Sequence, residues 1–319
     1  MPSTPQVTII MPVYNRAAMV REAIDSALAV SREIAIEIVV VDDASTDDTW
    51  AVLQAIGDPR VRPVRVERNG GQSAARNHGL AHARGAFVKF LDSDDLLIAE
   101  HLPLELRAIE GNDIAVSGWI EERVQREEFA APEFHEIIDD VLAGRAVPTS
   151  AALYVRRDDW RWDPQLRKLD DWDFFCQAAL GATRIATVSG AAYVWRHHEG
   201  TRATDATMLA NALEVHRILH KIEERLAREG KLTEARRKRL AQYFYKELRV
   251  LSLYDRKAFD AAVAHIRELD PVFVPRDEER QWFMRAAARV LGFRNATLLH
   301  SAIKKRLGRL PMPPLWVAC

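Results

Sequence analysis

Cysteine is nearly absent: the chain of 319 residues has only Cys176 and Cys319, in no CxxC pattern. That argues against a disulfide framework and fits a reducing compartment, so the expected location is cytoplasmic. A surplus of positive charge is missing too. Lys plus Arg total 45 against 46 Asp plus Glu. No basic field points to nucleic acid as a partner, and a phosphate-bearing ligand would have to be held locally, by a metal or a few placed groups. There is no run of about 18 apolar residues, so no segment is expected to span a membrane. The opening MPSTPQVTIIMPVYNR has no charged n-region and its apolar run stops at Pro12, which reads as a strand rather than a secretion signal. Two nucleotide signatures are also lacking. Without GxxxxGK[ST] anywhere, or GxGxxG after the first strand, ATP hydrolysis and nicotinamide chemistry lose their usual support.

What remains is a chain rich enough in apolar residues, 48%, to bury a large core. Residues 7–11 (VTIIM) read as a buried strand closed by Pro12, followed by a helix from Arg16 to about Ser31. A second strand at 36–41 ends in Asp42-Asp43. A helix then runs from Thr46 or Asp48 to Ile56, with Ser45 or Thr46 placed to cap it. Residues 61–66 form a third strand, 70–82 a glycine turn running into a helix, and 87–91 a fourth strand ending in Asp92-Ser93-Asp94-Asp95. This alternation predicts an α/β three-layer sandwich around a mostly parallel central sheet, with a Rossmann-like nucleotide-binding half. Ligands of such sheets gather at the carboxyl ends of the strands, where Tyr14-Asn15, Asp42-Asp43 and Asp92 to Asp95 all fall. Shorter strands are expected at 114–119, 151–155 and 192–195. From about Asp205 the pattern is helical, at 208–228, 233–253, 257–269, 277–291 and 296–307. The expected division is a catalytic domain over 1–204, with a nucleotide half to about 110 and an acceptor half over 111–204, followed by a helical extension over 205–319.

Chemistry concentrates in FLDSDDLL at 90–97. Asp92 and Asp94 lie two apart just beyond a buried strand, where a bend turns both carboxylates toward one ligand. Hard cations such as Mg²⁺ or Mn²⁺ take oxygen donors and bridge carboxylates to diphosphate oxygens; the alternative is an Asp-rich turn capping a helix near Leu97. One carboxylate of Asp42-Asp43 could accept a hydrogen bond from a base or ribose. In RNGGQSAARNHG (68–79), Arg76 could reach a phosphate with its fork of donors, while Arg68 is either a second such group or a solvated turn residue. Asp170, Asp171 and Asp173 surround Trp172. One of them could be the general base for an acceptor hydroxyl, a role compatible with an acidic helix start. His197 and His198 either complete a metal's coordination or are loop histidines. Trp119, Trp160, Trp162 and Trp172 either stack on sugar rings or pack the core.

These segments, VTIIMPVYNR, VVVDDASTDDT, NGGQSAARNHG, FVKFLDSDDLL, KLDDWDFFCQAAL and WRHHEGTRAT, together resemble the inverting glycosyltransferases of family 2, with the GT-A fold, over about residues 5–204. The resemblance implies a bacterial-type enzyme of polysaccharide or cell-envelope glycan synthesis. Its donor would be a nucleoside diphosphate-sugar, most often UDP-linked, held with Mg²⁺ or Mn²⁺, and its acceptor a saccharide or lipid-linked glycan. It further implies that Pro12, Val13, Tyr14 and Asn15 line the base pocket, that Asp42 contacts the base, and that Asp92 and Ser93 bind the donor beside Asp94, the direct metal ligand. Asp171 would be the catalytic base and His198 would approach the metal or diphosphate, with His197 its rival. The family often has Glu where Asp170 stands and Arg where Gln177 stands. A nucleotidyltransferase or a non-catalytic binding protein of the same fold are the rival readings. The first would advertise a glycine-rich basic loop after the first strand, which PVYNRA lacks; the second would lack an essential acid, yet Asp92, Asp94 and Asp171 are all present. In the last third, ARRKRLA (235–241) and KKRLGRLPMPPLW (304–316) would suit anionic headgroups at a membrane surface, or form a solvated basic face.

Overall fold

The computed structural model describes residues 4–122, 125–197, 208–275, 292–299 and 301. In chain order the elements are β1 (Val7–Val13), α1 (Val20–Leu28), β2 (Ile36–Asp42), α2 (Thr49–Gln54), β3 (Val61–Arg65), α3 (Gln72–His82), β4 (Phe87–Phe90) and β5 (Leu96–Leu97). There follow α4 (Leu102–Ala108), β6 (Ile114–Glu122), β7 (Arg126–Phe129), α5 (Ile137–Leu142), β8 (Ala152–Val155), α6 (Asp170–Gly181) and β9 (Ile185–Arg196). Three longer helices follow, α7 (Met208–Arg228), α8 (Glu234–Tyr254) and α9 (Arg256–Leu269), and residues 292–299 are also helical. The chain divides into two compact units, one of Met1–Val141 with Arg145–Thr201 and one of Leu142–Gly144 with Arg202–Cys319. The domain boundary expected at 204/205 lies outside the described residues.

In the first unit the strands form one sheet in the order β3-β2-β1-β4-β8-β6-β9-β5, with β7 paired to β6. The first four in that order are parallel, as the strand and helix alternation predicts. Beyond them β8 runs antiparallel to both β4 and β6, while β9 returns parallel to β6. Every residue of β1 and β2 is buried, the mark of central parallel strands covered on both faces. Val7, Ile9, Met11 and Val13 point to one side, into a core shared with α1, where Val20, Ala23, Ile24 and Ala27 fall at helical spacing. Ile10 points to the other side, against α3. A methyl group added at Gly79 would stand 2.4 Å from Ile10 Cγ2, so α3 lies this close to β1 only with glycine there.

Three local expectations change. β1 continues through Pro12 to Val13. Ile10 O accepts from Leu91 N, and residues two apart on a strand point the same way. The N–H that Pro12 lacks would therefore have faced the β4 side, where pairing has already ended at Ile10. Helix α2 begins at Thr49, and neither Ser45 nor Thr46 caps it; both side chains bind Asn15 instead. After Asp92 to Asp95 the chain enters the short strand β5, paired antiparallel to β9, rather than a helix near Leu97.

In the second unit α8 starts with Thr233 accepting from Arg236 N, and α9 starts with Asp255 accepting from Ala258 N. On α9, Phe259, Ala262, Val263, Ile266 and Leu269 form one buried stripe. Among the described residues no helix is long and apolar enough to cross a membrane.

Candidate active site

The carboxyl ends of β1, β2 and β4 lie side by side, and the chain leaves each through a loop held by polar groups of the next. At the end of β1, Asn15 adopts a left-handed backbone (φ 51°). Its N–H donates to Ser45 Oγ at 3.0 Å, and its Oδ1 accepts from Thr46 N at 2.8 Å. Asn tolerates this conformation better than most residues. Tyr14 before it is exposed, whereas Pro12 and Val13 are buried strand residues.

Asp42 and Asp43, equivalent in sequence, do different work. Asp42 is fully buried; its Oδ1 accepts from Ser45 N at 3.0 Å and its Oδ2 stands 3.2 Å from Arg65 Nε. The side chain expected to meet a base is thus turned into the loop that follows β2. Asp43 accepts from Gly70 N at 2.9 Å and from Gly71 N at 2.8 Å, one bond to each carboxylate oxygen. Gly71, with φ 87°, supplies the backbone that aims both amides at one side chain and then opens α3.

Arg76, one turn into α3, sits at the centre of the acidic residues. Its Nη2 donates to Asp92 Oδ1 at 2.6 Å and its Nη1 to Asp170 Oδ2 at 3.0 Å. The guanidinium lies 4.2 Å over the ring of Trp162, which itself stacks on Phe174 at 4.3 Å. Asp170 also accepts from Gln72 Nε2 and Ser73 Oγ, each at 2.7 Å. Buried and held by two carboxylates, the Arg76 guanidinium joins Asp92 to the start of α6. Asn77 adds a reciprocal pair with the Trp162 backbone, at 2.8 and 2.9 Å.

Asp171 follows Asp170 in the first turn of α6, after Leu169 in a left-handed conformation (φ 54°). Its Oδ1 accepts from Trp172 N at 2.8 Å. Loss of water, then the charge of Asp170, push its carboxyl up to about 6, against the opposing pull of the Trp172 amide and Arg76. A carboxylate raised this far is a better proton acceptor near neutral pH than an ordinary aspartate.

Asp92, Ser93, Asp94 and Asp95 form a tight turn in which Asp95 N donates to Asp92 O at 3.1 Å. The end of β9 holds it: Arg196 Nε donates to Asp94 O at 2.6 Å and Arg196 N to Asp95 Oδ1 at 3.0 Å. Asp94 Oδ2 stands 3.5 Å from Arg16 Nε, and Ser93 is buried in the turn. Burial raises the carboxyls of Asp92 and Asp95, with neighbouring aspartates adding to the rise. Hard oxygen donors on one tight turn are the donor set that suits Mg²⁺ or Mn²⁺, so Asp92 and Asp94 fit a divalent cation. His197 pairs with Glu121 at 2.5 Å, and His198 lies outside the described residues. Trp160 and Trp162 are core residues and Trp119 stacks on Phe129, while Trp172 is half-buried.

Sequence reasoning brought Asp92, Asp94 and Asp171 forward but missed Arg196, Arg16 and the division of labour between Asp42 and Asp43. Nothing local marks Arg196. Only the antiparallel pairing of β5 with β9 carries it to the aspartate turn.

The family model described as Glycosyl transferase family 2 matches residues 8–156. The succinoglycan biosynthesis protein ExoO of Rhizobium meliloti is 32% identical over 219 residues, 62% of each chain. The UDP-Glc:alpha-D-GlcNAc-diphosphoundecaprenol beta-1,3-glucosyltransferase WfaP of Escherichia coli is 33% identical over 35% of this chain and 44% of its own. The chain thus spans less than two thirds of the length of these curated relatives. Among solved structures, TarS of S. aureus in complex with UDP-GlcNAc superposes with a TM-score of 0.69 at 19% identity, over 96% of this chain and 93% of that one. The mannosyltransferase PcManGT of Pyrobaculum calidifontis, with GDP-Man and Mn²⁺, gives 0.50 at 19% identity over 97% and 89%. These two likenesses show the fold, of GT-A type.

Proposed function

We propose that the chain, whose residues 8–156 match glycosyl transferase family 2, transfers a sugar from a nucleoside diphosphate-sugar to an acceptor hydroxyl with inversion at the anomeric carbon. The observation that carries the reading is that Arg76 joins Asp92, on the strand-end turn that also carries Asp94, to Asp170, the neighbour of Asp171 at the start of α6. Asp171 takes the proton of the acceptor hydroxyl, whose oxygen bonds to the anomeric carbon from the face opposite the leaving nucleoside diphosphate. Asp170, held by Arg76, Gln72 and Ser73, keeps the helix start in place without itself meeting the acceptor. When bound, a divalent cation held by Asp94 with Asp92 supplies positive charge for the departing diphosphate. Tyr14 and Asn15, at the open end of β1, belong to the nucleotide side with Pro12, Val13 and Ser93, Asp42 supports that side from within by holding the loop after β2, and His198 is assigned to the metal or diphosphate.

The donor is proposed to be UDP-linked, as in the names of the E. coli relative and the S. aureus complex. The acceptor is proposed to be a saccharide or lipid-linked glycan of the bacterial envelope, a setting suggested by the R. meliloti and E. coli relatives. The enzyme would work in the cytoplasm, with peripheral contact at the inner face of the membrane.

Released nucleoside diphosphate is to be measured over UDP-, GDP- and dTDP-sugars, with Mn²⁺ or Mg²⁺ and with EDTA. Metal-dependent release from one donor, lost in Asp94→Ala, is the expected result. Silence across the panel with acceptor extracts supplied, or release indifferent to Asp94, would overturn the reading.

A further inference from the structure

The second unit holds a cluster of imidazoles and carboxylates that plays no part in the chemistry above. On α7, His216, His220 and Glu223 are spaced four and three apart, so they share one helical face. On α9, His265 and Glu268 are spaced three apart. The two faces meet: His265 Nε2 lies 2.6 Å from Glu223 Oε2, and His220 Nδ1 lies 3.8 Å from the same oxygen. The rings of His220 and His265 are 4.5 Å apart. One ligand atom from each of His220, Glu223 and His265 falls within 4.8 Å of the others. In a tetrahedral site with metal–nitrogen bonds of about 2.0 to 2.1 Å, donors stand about 3.4 Å apart. Small rotations of these side chains bridge that difference.

Three further observations point to a ligand there. His216 is 8% exposed, lines the adjoining cavity, and has a buried Nε2 without a hydrogen-bonding partner. A buried ring nitrogen left in this way carries a real cost unless something binds it. The cavity has a volume of about 410 Å³ and is walled on the α9 side by Ala258, Ala261 and Ala262, which leave room beside the rings. Glu268 Oε2 stands 3.4 Å from His265 Nδ1. A carboxylate on one nitrogen of an imidazole turns the other nitrogen's lone pair toward a metal, the usual support of a histidine ligand. Phe244, fully buried, lies 4.8 to 5.1 Å from all three rings and fixes their planes.

We propose that His220, His265 and Glu223 form a transition-metal site of the Zn²⁺ class in the second unit, beside the cavity that His216 lines, tying α7 to α9. Nitrogen donors in the majority select Zn²⁺, Co²⁺ or Ni²⁺ over the Mg²⁺ and Mn²⁺ that suit an aspartate pair. The site is independent of the sugar-transfer reading, and shares no residue with it.

The test uses the full chain, stripped with EDTA and titrated with Co²⁺, then with Zn²⁺ in competition. One equivalent of Co²⁺ giving the strong visible absorption of a four-coordinate ion, displaced by one equivalent of Zn²⁺, is expected. Affinity should fall at least tenfold in His265→Asn and in His220→Asn, and remain unchanged in Asp94→Asn. Glu223→Gln preserves shape, so it serves if a histidine variant does not fold; in wild type Zn²⁺ should raise the unfolding temperature, and in Glu223→Gln it should not. Weak octahedral absorption only, Zn²⁺ binding equal in wild type and Glu223→Gln, or loss of the site in Asp94→Asn would each overturn the proposal.

Discussion

Replacing Asp171 by Asn should weaken turnover and strengthen the fold at once. A carboxyl raised from 3.8 to about 6 means that the folded protein disfavours its charged form. At 1.36 kcal/mol for each tenfold change, the full difference is about 3 kcal/mol. Asp171 is half-buried, so solvent screening reduces this to about 1 to 2 kcal/mol. Asn keeps an oxygen for the Trp172 amide and removes the charge set against Asp170. Near pH 7.5 the variant should therefore unfold later, by roughly 2 to 6 °C. The direction with pH is fixed by the folded value lying above the unfolded one. The penalty on wild type is complete above about 6, shrinks as pH falls through 6, and is gone below 3.8. The advantage of Asn should vanish over the same window. Turnover should fall roughly 10² to 10⁴-fold with donor affinity retained, and the wild-type kcat/KM should rise with pH through about 6. Thermal unfolding at a series of pH values, with nucleoside diphosphate release and donor titration, reads all of this. An Asn variant less stable at pH 7.5, or an activity limb near 4, would refute the reasoning.

Arg76→Met should leave the buried Asp170 carboxylate without its cation and cost about 3 to 5 kcal/mol in urea denaturation. Its acidic activity limb should also move upward, because Arg76 favours the ionised form of Asp171. Asp43→Ala removes the acceptor of the Gly70 and Gly71 amides, and a loss of about 2 kcal/mol with faster amide exchange at 70–72 is expected. Trp162→Ala, which opens a cavity beneath the Arg76 guanidinium, should cost about 3 to 5 kcal/mol by thermal or urea unfolding.

The parallel half of the sheet was legible in the chain because its signals are local. Short apolar runs, the second and fourth of them leading directly to Asp, alternate with amphipathic stretches, and α7 falls at the residues its spacing predicts. Asp92, Asp94 and Asp171 stood out for the same reason: acids just past a buried strand, or clustered among large aromatics, need an explanation wherever they occur. The error at Ser45 and Thr46 was one of competition. Both are good capping residues, but the Asn15 loop, thirty residues upstream, takes their side chains first.

Sequence alone therefore determined the α/β alternation, the strand ends where a ligand would gather and the residue types available there, because propensity and periodicity act over a few residues. Tertiary structure decided which charges face one another. It joined Arg76 to Asp170 across 94 positions, turned Asp42 inward while Asp43 held the glycine amides, and brought His265 of α9 onto Glu223 of α7. Pairing energies depend on separations of a few ångströms and on the loss of water, and neither exists until the chain has closed upon itself.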